Sequence, residues 1–182
     1  MKSWKSIIVT IAVVCLASSA FAQFHGPGIG VFFDEGATQS VVELEGGLTQ
    51  YHTAYVYAVN ADQWVGGMAF KLELDERIHI MAAEYPNAIK MGEPDQGVAI
   101  GFSDCRCGYL GMNVLGAVLT LWTGNELITN GSIRVVANPD EGGILLSDCE
   151  GALTAVSGWT SFLSVVTDDD ATSWGEVKTL YR

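Results

Sequence analysis

Three cysteines, Cys105, Cys107 and Cys149, are the residues of this chain best equipped for chemistry. Cys105 and Cys107 flank Arg106 in the stretch GFSDCRCGYL, residues 101–110. Such thiols could hold a metal, cycle as a redox couple or form a disulfide. A structural zinc site needs four ligands, and none of His25, His52 and His79 stands at a supporting spacing. A redox pair reads Cys-x-x-Cys, whereas the spacing here is Cys-x-Cys. A bridge between Cys105 and Cys107 would be strained, because alternate residues of a strand lie about 6.5–7 Å apart. The expectation is a bridge from this segment to Cys149. Cys105 is the first choice, since it directly follows an apolar strand, and Cys107 is the alternative. Such a link closes a loop of about 40 residues and stabilises by about 3–4 kcal/mol.

Other chemistry-bearing residues are weaker. Asp168, Asp169 and Asp170 could offer oxygens to Ca²⁺, but the run lacks the spacing of an EF-hand loop and reads as a solvated acidic turn. Glu43 with Glu45, or Asp75 with Glu76, could form the carboxylate pair of a glycosidase; alternation puts Glu43 and Glu45 on the wet face of a strand. His52 and His79 accompany neither Gly-x-Ser-x-Gly nor His-Glu-x-x-His. No catalytic residue, metal or cofactor is expected. Tyr51, Tyr55 and Tyr57, together with Trp64, could form a surface platform for a sugar or a protein, or a cross-strand aromatic cluster.

The compartment is written at the start. Lys2 and Lys5 precede an apolar run over residues 7–16, and Ala20-Phe21-Ala22 follows. This is the pattern of a secretory leader, with cleavage expected before Gln23 and residues 1–22 removed. The run is short of the roughly 20 apolar residues of a spanning helix. The whole chain carries a formal charge of −12. Without Lys2 and Lys5 the mature chain has seven Lys+Arg against 21 Asp+Glu, a charge of −14. Such a surface repels nucleic acid and anionic lipid. A secreted location, periplasmic, cell-surface or extracellular, is expected. An exported chain also meets oxidising conditions, where disulfides form and persist.

The elements that position these residues read as β. The segment 67–75 (GMAFKLELD) alternates strictly, with Met68, Phe70, Leu72 and Leu74 on one face, the period of a strand with one buried face. Further strands are expected at 30–34, 39–45, 50–60, 77–82, 97–102, 115–122, 132–137, 143–147 and 159–166. In 50–60 the set His52, Ala54, Val56 and Ala58, mostly small or β-branched, faces inward and Tyr51, Thr53, Tyr55 and Tyr57 outward. About 8–10 strands with turn signals every 8–12 residues describe an antiparallel sandwich over residues 23–167. The segment 168–182 is an acidic turn and tail. There Ser173 and Glu176 fit a capping box, and Trp174, Val177 and Tyr181 share one helical face, so a short helix docked through Trp174 is expected, with an extended tail acting as a sorting signal as the alternative.

The stretches VGGMAFKLELDERIHIMAAEYPN (65–87), GVAIGFSD (97–104) and LGAVLTLWTG (115–124) resemble the cohesin-like and related immunoglobulin-like domains of secreted bacterial proteins. The resemblance covers about 100 residues and implies a jelly-roll-like sandwich used for binding or assembly. The closing SWGEVKTLYR is similar to the C-terminal ending of exported bacterial proteins. Three functions are weighed on this ground. The first is a non-catalytic binding or surface-assembly module for another protein. The alternative is a carbohydrate-binding module using Tyr51, Tyr55, Tyr57 or Trp64, and the least favoured is a carboxylate-dependent hydrolase.

Overall fold

The computed structural model of the chain describes residues 26–44, 50–61, 64–107, 113–124, 128 and 130–165. The expected leader (1–22) and acidic tail (168–182), with Asp168, Asp169, Asp170 and Trp174, lie outside the described residues. Among the described residues every regular element is a strand. They are β1 (Gly28–Phe32), β2 (Val41–Leu44), β3 (Gln50–Val59), β4 (Trp64–Leu74), β5 (Ile78–Glu84), β6 (Ala88–Glu93), β7 (Gly97–Cys107), β8 (Val114–Thr123), β9 (Gly131–Val136), β10 (Leu145–Ser147), β11 (Leu153–Ala155), β12 (Ser157–Gly158) and β13 (Thr160–Val165).

The strands form two sheets. One runs β12-β1-β3-β8-β5. The other is organised around β4, whose Gly67–Ala69 segment pairs with β10, its Lys71–Leu74 segment with β9, and residues between Trp64 and Phe70 with β7. Beyond these neighbours lie β11 on β10, β6 on β7, and β13 then β2 on β9. Pairing is antiparallel except for two parallel pairs, β1 with β12 and β13 with β2. Alternation supplies the interior. Ile29 and Val31, Ala54, Val56 and Ala58, and Ala117, Leu119 and Leu121 line one sheet; Met68, Phe70 and Leu72, Val98 and Ile100, and Ile133 and Val135 line the other. All are buried in one continuous core. Two apolar faces closing on each other remove the surface that drives folding from water.

The structure has more strands than the sequence pattern predicts, because β6, β11 and β12 carry no alternation of burial. β6 is exposed along nearly its whole length. It is held by backbone pairing to β7 from Ala88↔Phe102 to Glu93↔Gly97. The turn between them uses two glycines in the left-handed region, Gly92 (φ 83°) and Gly97 (φ 133°). A Cβ at Gly92 would collide with the Gly97 carbonyl, so this hairpin requires glycine there.

Candidate functional site

β7 ends in a covalent clamp. Cys105 is bonded to Cys149, with Cα atoms 5.7 Å apart and a sequence separation of 44. Cys149 lies in the turn that joins β10 to β11, and that turn is built by Asp148, whose carboxylate accepts the Glu150 N–H (3.0 Å) and the Ala152 N–H (2.7 Å). The Asp148 carbonyl lies where a Cβ on Gly66 would sit. The β10–β11 hairpin is therefore seated closely on β4 and tied to β7.

The register of the five strands β6-β7-β4-β10-β11 produces a groove on their outer face. One row across the sheet reads Met91, Ala99, Ala69, Leu145; the next reads Ile89, Gly101, Gly67, Ser147, Leu153. Cross-strand partners share a face, so in both rows small residues on β7 and β4 lie between bulky ones, although the first row ends on β11 in Ala155. Ala69, Ala99, Gly67 and Gly101 make the floor. Ile89 and Met91 form one wall, and Leu145 and Leu153 the other. The trough encloses about 440 Å³ and has Glu141 at its margin. Its walls are unusually bare: Ile89 is 76% exposed, Met91 69% and Leu153 60%. Gly67 cannot carry a side chain, since a Cβ would fall 2.6 Å from the Ile100 carbonyl oxygen, whereas Gly101 faces open space with nothing within 4 Å.

The four aromatics do not assemble into one platform. Tyr57 is buried in a small cluster with Phe32, Val59, Tyr55 and Trp159. Its ring meets Phe32 edge-on at 6.1 Å, and its hydroxyl donates to the Glu35 carbonyl at 2.8 Å. Tyr55 lies 6.4 Å from Tyr57 in the same cluster. Trp64 is exposed, but on β4 in the other sheet, opposite Cys107. Tyr51, 65% exposed, has a different neighbour, since it is in register with Trp122, and Trp122 in turn with His79. Trp122 ends the apolar run 115–122, whose pattern marks a strand but not a ring shared with Tyr51 and His79. The walls Ile89 and Met91 lie on β6, which lacks any periodic signal.

Candidate acid–base groups are spoken for or alone. Asp75 accepts two bonds from the Arg77 guanidinium (2.7 and 2.8 Å), and these hold its carboxyl below the ordinary range. Glu76 and Glu43 are exposed and on different elements, and Glu45 lies outside the described residues. His52 faces inward; burial lowers its pKa, and its Nε2 has no hydrogen-bond partner. Burial likewise pushes the Tyr85 hydroxyl up to about 12. Among the described residues no cluster of His, Cys, Asp and Glu could hold a metal ion.

No family model and no curated protein matches the chain. Its fold is nonetheless similar to solved structures. The cohesin module of a Clostridium perfringens family 33 glycoside hydrolase aligns with a TM-score of 0.54 at 10% identity, over 78% of this chain and 98% of that one. The seventh type I cohesin of ScaB from Pseudobacteroides cellulosolvens aligns at 0.51 and 10%, covering 79% and 94%. A type I cohesin–dockerin complex from Clostridium thermocellum gives 0.50 and 8%, covering 78% and 100%. At these identities the likeness is one of fold, a cohesin-like β-sandwich.

Proposed function

From a cohesin-like sandwich with an apolar trough on one sheet, we propose that the chain is an exported, non-catalytic module that binds another protein in that trough. The observation that carries the reading is the pair of cross-strand rows in which Gly67, Ala69, Ala99 and Gly101 lie between Ile89/Met91 and Leu145/Leu153. An exposed concave apolar surface on a small domain marks an interaction site. β6 and β10 are three strand spacings apart, roughly 14 Å, and a helix with its side chains is about 10–12 Å across. The trough thus suits one helix lying along the strands with its apolar stripe down. The chain's charge of −12 favours lysine and arginine on the flanks of that helix. One structure of like fold is a complex with a dockerin, so a dockerin-type module is the first partner to try.

Export is part of the proposal. The leader pattern of residues 1–22 and the Cys105–Cys149 bond support it together, since structural disulfides belong to oxidising compartments.

Gly101→Leu is the decisive variant. It adds a side chain into open space, fills the floor of the trough and leaves the core untouched. The immobilised full chain should retain a partner from the exported proteins of its own source, or a dockerin module. Gly101→Leu should lose that partner with an unchanged melting temperature. Equal retention by the two proteins would remove the trough from consideration.

A further inference from the structure

The outer face of the opposite sheet carries a second feature of different chemistry. Tyr51 of β3, Trp122 of β8 and His79 of β5 stand in one cross-strand row. The Trp122 and His79 rings are 5.3 Å apart and inclined by only 30°. With strands about 4.8 Å apart, three rings on three neighbouring strands extend over roughly 10 Å. Tyr51 and His79 are exposed, and Trp122 is partly so. Met81, the extra residue of the β5 bulge between Ile80 and Ala82, is 57% exposed. The next outward row reads Thr53, Thr120, Ala82. It sets two hydroxyls, each both donor and acceptor, one row away from the rings, with a small residue beside them.

We infer that this face is a second binding site, for a neutral polysaccharide. Ring faces stack on the apolar C–H faces of pyranoses, and hydroxyls at the next row meet the hydroxyls at the sugar's edge. The two rows hold no carboxylate and no ammonium, and a chain of charge −12 repels acidic polymers. A protein helix is less well served here, because the threonine row interrupts the apolar surface and the face has no walls. This site shares no residue with the trough on the other sheet and does not depend on it.

The test is affinity electrophoresis of the full chain through gels containing hydroxyethylcellulose, xyloglucan or galactomannan, with alginate as the acidic control. At least one neutral polymer should retard the wild type and Gly101→Leu equally. Tyr51→Ala should weaken that retardation roughly fivefold or more, the scale of one stacked ring, and Tyr51→Ala with His79→Ala should abolish it. Both positions are exposed, so their melting temperatures should stay at the wild-type value. The inference is overturned if no neutral polymer retards the protein, if alginate alone does, or if the double variant runs as the wild type does. It is also overturned if Tyr51→Ala instead breaks a concentration-dependent dimer, which would give the face to a second copy of the chain.

Discussion

His52 shows how a single side chain can set a response to acidity. Its ring lies on the inward face of β3, with Nε2 buried and without a partner, and burial lowers its pKa from the ordinary 6.5. The folded state therefore binds the proton less readily than the unfolded chain does. Stability is level above about pH 7.5 and falls as the pH drops through 6.5 toward the lowered folded value. Urea unfolding between about pH 7.5 and 5 should show this loss, and His52→Leu, which keeps the volume and removes the titration, should flatten it. An unchanged slope in the variant would show that His52 does not set the loss, and Asp75, whose lowered carboxyl titrates below this window, would not account for it. The face that His52 occupies was legible from the alternation of residues 50–60. That its ring nitrogen would lack a partner was not, because that depends on what the second sheet brings opposite.

Strands of the sandwich differ in how much of themselves they wrote into the sequence. β4 alternates because one of its faces is sealed against the other sheet, so Met68, Phe70 and Leu72 announce it. β6 is exposed on both faces and is defined by its backbone bonds to β7 and by the glycines of its turn. Its residues Ile89 and Met91 form half of the trough, and no local pattern marks them. The floor is hidden for another reason: Gly67 and Gly101 become neighbours only through register between strands that are distant in sequence. The β10–β11 hairpin is held by three pairs on each side and by the Cys105–Cys149 bond. Replacing Cys149 with serine should cost about 3–4 kcal/mol of stability, the entropy released to a 44-residue loop in the unfolded chain. It should also weaken capture in the trough, since Leu145 and Leu153 belong to the freed hairpin. Thermal melts with and without reductant check the first effect, and the wild type should fall to the variant's value when reduced. A wild type that melts at the same temperature in both conditions would show that the bond adds nothing.

Taken whole, the molecule has two outward faces of unlike chemistry on opposite sheets, one concave and apolar, the other planar and built of rings and hydroxyls. Acidic charge keeps both away from nucleic acid and anionic surfaces. Export, as proposed, can be read directly from processing. Intact mass of the protein recovered from culture medium or periplasm should place the first residue at Gln23; a mass retaining residues 1–22 would count against the leader.

The two parallel pairs have a mechanical meaning. β1 opens the described sandwich and runs parallel to β12, and β13 closes it and runs parallel to β2. Tension carried along the chain through Gly28 and Val165 pulls each of these pairs lengthwise, sliding one strand past the other. Bonds loaded in shear share the force and fail together, whereas bonds pulled open from one end fail in succession like a zip. A sandwich pulled from these two ends meets the strain with β1, β12, β13 and β2 laid along the load.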